Sequence, residues 1–250
     1  MVTWYPLKRR SETNRSRFIQ KLVLYYRSSV RYGSRFGGFN GTFGSVTHFS
    51  WQMEDRTGPE LVLVFSGKRK SGKDYITDLI QDRLGPEICC ILRLSGPLKQ
   101  QFAQEHNLDL DQLLGPGPYK ELYRADMIRW GEDRRNQDPG FFCRLATGGA
   151  RQPVWVVSDA RRLSDLQWFR SEFPRQTRSV RVQCSDETRV QRGWSFTAGV
   201  DDAESECGLD GGVEFDWIIT NEAGAPPLDQ QLQPILKAAQ EAASSTRTDQ

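Results

Sequence analysis

A wholly apolar run, Leu61-Val-Leu-Val-Phe65, passes through Ser66 into Gly67-Lys-Arg-Lys-Ser-Gly72-Lys73-Asp74, and apolar residues then recur at Ile76, Leu79, Ile80 and Leu84. The run has the length and composition of a strand buried on both faces, and the later spacing is that of a helix. Glycines at 67 and 72 let the backbone between them curl until successive N–H groups point inward, and the helix adds the positive end of its dipole. Such a turn holds phosphate, and a lysine at the helix start reaches the β- and γ-phosphates of a nucleotide. The G-x-x-x-x-G-K pattern ordinarily continues with Ser or Thr, whose hydroxyl ligates Mg²⁺, but Asp74 stands there. A carboxylate also suits that hard cation. An acidic residue is equally favoured at a helix N-terminus for electrostatic reasons alone, so both readings stay open. Gly67, Lys68, Arg69, Lys70, Ser71, Gly72, Lys73 and Asp74 are the candidate nucleotide loop. The cations at 68–70 exceed what one nucleotide needs, which points to a site handling further anionic charge.

From Pro59 onward, short apolar runs alternate with amphipathic stretches. Strands are expected at Leu61–Phe65, Ile88–Leu92, Val154–Val157, Val180–Val182 and Trp217–Ile219. Helices are expected near Lys73–Leu84, Pro97–Glu105, Tyr119–Arg135, Phe141–Ala146, Ser164–Ser171, Asp186–Gly193 and Leu228–Ala242. Strands joined by helical crossovers imply a mostly parallel sheet covered on both faces, an α/β three-layer α/β/α sandwich over residues 59–243. Residues 244–250 read as a polar tail that does not end in a peroxisomal S-K-L address.

Further candidates follow from where charge meets strand ends. Val154–Val157 runs into Ser158-Asp159-Ala160-Arg161-Arg162. An apolar strand ending in Asp is the generic second element beside a phosphate loop, its carboxylate holding Mg²⁺ or its waters. Asp74 and Asp159 are therefore the candidate metal ligands. Ligands gather at the carboxyl ends of strands in open α/β sheets, so Arg161 and Arg162 are expected to face the crevice, where a guanidinium grips phosphate with two parallel hydrogen bonds. Lys99 follows a strand closely enough to meet an acceptor anion. Arg189 and Arg192, three apart on one helical face, lead into the acidic run Asp201–Glu206 and suggest a mobile lid that brings arginines onto the transferring group and excludes water. Asn221 closes the last strand and is expected near the adenine. The helix around Arg124, Asp126, Arg129 and Arg134 reads mainly as a solvated face.

The net charge of +2 hides a division. Residues 1–58 carry ten Lys/Arg against three Asp/Glu, a net +7, and the remainder carries −5. For this basic N-terminal extension the readings left open are an unstructured segment or misassigned start, an organelle leader, or a nucleic-acid arm. Five cysteines without a C-x-x-C pair suit reduced thiols, and two histidines give neither a zinc site nor a histidine triad. No apolar stretch approaches the roughly 18 residues of a membrane span.

Read together, FSGKRKSGKD (65–74), LRLSGPLK (92–99), DMIRWGE (126–132), DPGFFCR (138–144), WVVSD (155–159), QWFR (167–170) and GVDDAESECGLD (199–210) resemble animal-type phosphomevalonate kinase over Leu61 to Trp217. The resemblance implies a P-loop kinase fold with a lid. It also implies transfer of the γ-phosphoryl of ATP to (R)-5-phosphomevalonate with Mg²⁺, in the mevalonate route to isoprenoids and sterols. Asp74 is the family's own residue at that position. By resemblance Lys73 and Asp74 are central to ATP binding, Arg135, Arg161 and Arg162 handle substrate and phosphate, and Arg189 and Arg192 are lid arginines. Asn221 falls where the family has an active-site asparagine, and Asp159 and Lys99, from their places after strands, are further candidates for binding substrate. Lys73, Asp74, Arg161, Arg162 and Arg192 form the expected catalytic set. Glu222 stands where the family is expected to have histidine. A cytosolic monomer is expected. The rivals are a nucleoside monophosphate kinase and an ATP-binding protein whose N-terminal arm holds nucleic acid.

Overall fold

A strand whose residues are all buried has to lie inside a covered sheet, and Leu61–Ser66 (β1) is buried at every position. In the computed structural model, which describes residues 58–248 apart from Pro116, β1 is the central strand of five. The expectations for residues 1–58 fall on a stretch of which all but Gly58 lies outside the described residues, as do the last two residues of the expected tail. After β1 come α1 (Lys73–Leu84) and β2 (Cys89–Leu92). A helical excursion follows, comprising α2 (Ser95–Glu105), α3 (Leu110–Leu114), α4 (Pro118–Leu122), α5 (Arg124–Gln137) and α6 (Phe141–Thr147). The chain then forms β3 (Val154–Val157), α7 (Leu163–Glu172), β4 (Thr177–Gln183), α8 (Asp186–Gln191), α9 (Glu204–Cys207), β5 (Trp217–Thr220) and α10 (Leu228–Thr248). The strand order is β2-β3-β1-β4-β5, and every pairing is parallel.

Alternation along β1 divides the core in two. Leu61, Leu63 and Phe65 pack with Ile76 and Ile80 of α1 and with Leu232 and Ile235 of α10. Val62 and Val64 turn to the other face, against Cys143 of α6 and Leu166 and Phe169 of α7. This is the expected α/β/α sandwich. A third apolar cluster holds Phe102, Ala103, Leu113 and Met127, joined by Leu98, Tyr119, Tyr123 and Trp130. Helices α2–α5 thus form a small cap with its own core within the β2–β3 crossover.

The differences from expectation have local causes. The helix expected over Tyr119–Arg135 divides at Tyr123, which serves as C-cap of α4 and N-cap of α5. Helix α3 starts at Asp109, whose carboxylate accepts from Gln112 N at 3.1 Å, a D-x-x-Q capping signal not recognised in the sequence. β4 begins at Thr177, three residues earlier than expected, because its polar residues are buried but satisfied. Thr177 Oγ1 donates to Phe169 O at 2.8 Å, and Ser179 N and Oγ each donate to Asp216 Oδ2 at 2.7 Å. Helix α10 continues to Thr248, past the expected end at Ala242.

Phe65 is fully buried at the centre of the α1/α10 face. Phe65→Ala is expected to cost about 3–5 kcal/mol, as lost transfer energy plus a cavity. Urea unfolding of the two proteins side by side measures the difference.

Candidate active site

The chain steps from β1 out to β2, returns to β3 beside β1, and then crosses to β4 on the other side. At such a reversal the connections leave in opposite directions and open a crevice at the strands' carboxyl ends. The 67–72 loop begins there. A Cβ on Gly67 would stand 2.6 Å from Val182 O and 2.8 Å from Ser71 Oγ, so only glycine fits. Lys70 (φ 65°) and Gly72 (φ 90°) take left-handed conformations that turn the loop back into α1. Ser71 Oγ is buried without a hydrogen-bond partner. Lys73 is buried, and its Nζ donates to Asp74 Oδ1 at 2.8 Å and to Ser158 O beyond β3. Desolvation raises the Asp74 pKa, but Lys73, by charge and hydrogen bond, with Arg93 and Arg161, outweighs it and holds the carboxyl below its ordinary range. A closed glycine cradle, an orphaned hydroxyl, a lysine at the helix start and an ionised carboxylate fit a polyphosphate with Mg²⁺.

Two residues brace the loop from behind. Arg192 Nη1 donates to Lys70 O at 3.2 Å and Ser71 O at 3.0 Å, and its Nη2 donates to Asn221 O at 2.7 Å. Asn221 Nδ2 donates to Ser71 O at 2.8 Å. Drawing these carbonyls outward favours turning the loop's N–H groups inward. The expected lid arginine Arg192 therefore spends its guanidinium on the loop's backbone, and Asn221 does the same with its amide. Arg189 pairs with Asp186 at 2.6 Å and lies over Trp194, 3.6 Å from the ring centroid. Glu222 Oε2 accepts from Ser185 N at 2.7 Å at the start of α8. That backbone bond, followed by the Ser185 hydroxyl, keeps the Glu222 carboxyl below its ordinary range. Glu222 thereby anchors the start of the helix whose C-cap is Arg192.

A knot of positive charge lies on the cap side. Burial lowers the Arg161 pKa; Asp159 and Asp74 oppose the fall, while Arg69 and Arg124 add to it. Lys99 is lowered by desolvation and then by Lys120, Arg93 and Arg161, against Asp159. Lys120 is lowered by desolvation and then by Arg124 and Arg161, against Glu121. No motif in the sequence marks Lys120 or Arg93, and Arg124 reads there as part of a solvated face. No one-dimensional spacing joins Lys99 to Lys120. The fold brings them within electrostatic range of each other, and their neighbours Leu98 and Tyr119 both pack against the cap's apolar cluster.

Three expected substrate residues sit differently. Both Asp159 oxygens take backbone N–H groups, Leu94 N at 2.7 Å and Ser95 N at 3.0 Å, so this expected metal ligand pins the start of α2, the helix of Lys99. Arg162 is buried and held by Glu132 of α5. Arg135 is also buried, its guanidinium 4.5 Å from the Phe142 ring centroid and its Nε 3.6 Å from Asp165 Oδ1. Asp165 Oδ2 accepts from Arg161 N and Arg162 N, each at 3.3 Å. Arg135 and Arg162 thus tie the cap to the entry of α7 and orient the turn that presents Arg161. Glu132 and Asp165, which complete these ties, carry no sequence signal beyond their charge. Arg161 itself pairs with Glu206 of the expected lid segment.

A family model described as phosphomevalonate kinase matches residues 65–175. The chain is 47% identical over 181 residues to a phosphomevalonate kinase of Drosophila melanogaster, spanning 70% of this chain and 94% of that protein. Among solved structures, a gluconokinase from Sinorhizobium meliloti gives a TM-score of 0.40 at 15% identity, covering 76% of this chain and 97% of its own. A shikimate kinase from Aquifex aeolicus gives 0.36 at 12% identity, covering 73% and 98%. These two likenesses are too distant to bear on this chain's chemistry.

If Arg192 shapes the loop, Arg192→Met weakens ATP binding by about tenfold, a loss of roughly 1.4 kcal/mol, with a smaller change in kcat. Steady-state kinetics at saturating acceptor reads the split. A loss confined to kcat would place the guanidinium on the transferring group instead.

Proposed function

Because this chain belongs to the phosphomevalonate kinase family, we propose a division of labour among its residues for moving a phosphoryl group from ATP to the phosphate of 5-phosphomevalonate. The chain is an ATP-dependent kinase that makes 5-diphosphomevalonate and ADP in the mevalonate route to isoprenoids and sterols. The observation that carries this reading is kinship over 94% of the fly enzyme's length.

The acceptor oxygen already bears charge, so no strong general base is required. The difficulty is repulsion. Two unit charges at ~4 Å interact by about 4 kcal/mol at an effective dielectric near 20, and phosphate facing triphosphate multiplies that. In this reading the 67–74 loop and Lys73 hold the β- and γ-phosphates. Lys99 and Lys120 hold the acceptor phosphate. Arg161, which interacts electrostatically with Asp159 and Asp74 and with Lys99 and Lys120, is assigned to the space between the reacting groups. Mg²⁺ would neutralise charge across the nucleotide phosphates, with Asp74 as its protein oxygen, directly or through water. Asp159 fixes the helix carrying Lys99, and Arg135 and Arg162 fix the turn carrying Arg161. Lys68, Arg69 and Lys70 add positive potential at the mouth. The same reading has the enzyme working as a cytosolic monomer on a water-soluble substrate. No helix among the described residues is long and apolar enough to cross a membrane.

A coupled ADP-release assay with ATP, Mg²⁺ and 5-phosphomevalonate tests the reaction. Turnover is expected with that acceptor and not with AMP or UMP, which a nucleoside monophosphate kinase would accept. Lys73→Met is expected to lower kcat by on the order of 10³-fold or more while circular dichroism stays unchanged. Full activity in that variant would refute the mechanism.

The Lys99 shift gives a pH test. Lys99 binds phosphate as the ammonium, and its pKa is depressed. Binding is therefore complete below that lowered value and declines as pH rises through it. The kcat/KM for acceptor should fall on the alkaline side earlier than an ordinary lysine allows, since kcat/KM reports the unliganded enzyme. Lys99→Met should lower kcat/KM throughout and remove that limb.

A further inference from the structure

One short acidic segment supplies a carboxylate to each of several cations around the phosphate site. Asp201 meets Arg69 at 3.1 Å, Asp210 meets Lys68 at 3.3 Å and also Arg181, and Glu206 meets Arg161. Arg181 in turn donates to Ser66 Oγ at 2.8 Å, just before the nucleotide loop. A cavity of about 130 Å³, bounded by Lys68, Arg69, Arg189, Trp194, Asp201 and Glu206, lies between loop and segment.

The three carboxylates are not alike. Asp201 also accepts from Trp194 Nε1 at 3.0 Å and Thr197 N at 2.9 Å, which builds it into the segment's own fold. Glu206 and Asp210 instead make their ion pairs with the site's cations. The geometry points to Glu206 and Asp210 as specificity-determining residues, internal counter-ions that hold Arg161 and Lys68 until a phosphate replaces them. This rests on the proposed function, with Arg161 between the reacting phosphates and Lys68 supplying positive charge at the mouth of the nucleotide loop.

The selectivity follows from charge. A ligand carboxylate that displaces Glu206 exchanges one negative charge for another and gains little. A phosphate brings close to two charges and three acceptor oxygens to the same guanidinium. The resident carboxylates thus set a threshold that polyphosphates pass and simple carboxylates do not, which is specificity through the cost imposed on the wrong ligand. Once displaced, a carboxylate is repelled by the phosphate that replaced it, so ligand entry loosens the segment around 206–210.

Calorimetric titration of the full chain with tripolyphosphate provides the test and involves no acceptor. Glu206→Gln and Asp210→Asn should each tighten binding by about fivefold, the scale of one partly exposed ion pair. Malonate binding should become measurable in both. Asp201→Asn, which removes an internal support, should weaken tripolyphosphate binding. Unchanged or weaker binding in both the Glu206 and Asp210 variants overturns the proposal. Should a variant misfold, amide hydrogen exchange on the wild-type chain decides: tripolyphosphate should accelerate exchange over residues 206–210, and unchanged or slower exchange contradicts it. Wild-type turnover of 5-phosphomevalonate is measured in parallel. Its absence would strike the acceptor assignment and leave the counter-ion result to stand or fall by itself.

Discussion

Like charges held close together in a half-buried cleft repel, and around Arg161 that repulsion adds to the cost of burial. Arg161 answers to Asp159 and Asp74 as attractors and to Arg69 and Arg124 as repellers. Lys99 and Lys120 are depressed by the same neighbourhood. Such a knot of cations persists only because the scaffold holds it. β1 and α1 place Lys73, the β3–α7 turn places Arg161, and the cap places Lys99 and Lys120. Polar contacts from behind brace Lys73, the turn of Arg161 and the helix of Lys99. Under the proposed function that repulsion becomes affinity when phosphates arrive, since the free energy of preorganising the charges is supplied by folding rather than by binding.

The cap is where folding and chemistry are most closely joined. Its apolar cluster of Phe102, Leu113 and Met127 is distinct from the two faces of the sheet. The polar ties Glu132–Arg162 and Arg135–Asp165 cross from α5 to α7. The cap has its own core, and one buried ion pair, Arg135–Asp165, and one partly buried pair, Arg162–Glu132, fix it to the sandwich. Breaking one would leave a buried charge uncompensated, which is far more costly than the pair's net worth.

Much of the sheet was legible because burial on both faces writes itself as continuous apolar runs. Val154–Val157 and α1 at Lys73–Leu84 fall where the residues put them. β4 was read short because Thr177 and Ser179 are polar yet buried, and the groups satisfying them, Phe169 O and Asp216, are distant in sequence. The nucleotide loop was legible because strand, glycines, lysine and helix are contiguous. The partners of Arg135, Arg161, Arg162 and Arg192 were not. Glu132, Asp165, Glu206 and the carbonyls of Lys70 and Ser71 carry no mark of their role until the fold brings them together. Charge type suggests phosphate for all four arginines, and geometry gives Arg135, Arg162 and Arg192 contacts that hold the frame while Arg161 pairs with Glu206.

All of this depends on the triphosphate lying in the 67–74 loop with Arg161 turned toward the phosphoryl group in transit. The most direct measurement is a crystal structure of the chain with a non-hydrolysable ATP analogue and 5-phosphomevalonate. The account expects the Arg161 guanidinium within hydrogen-bonding distance of both the γ-phosphate and the acceptor phosphate. A triphosphate seated elsewhere, with Arg161 still on Glu206, would contradict it.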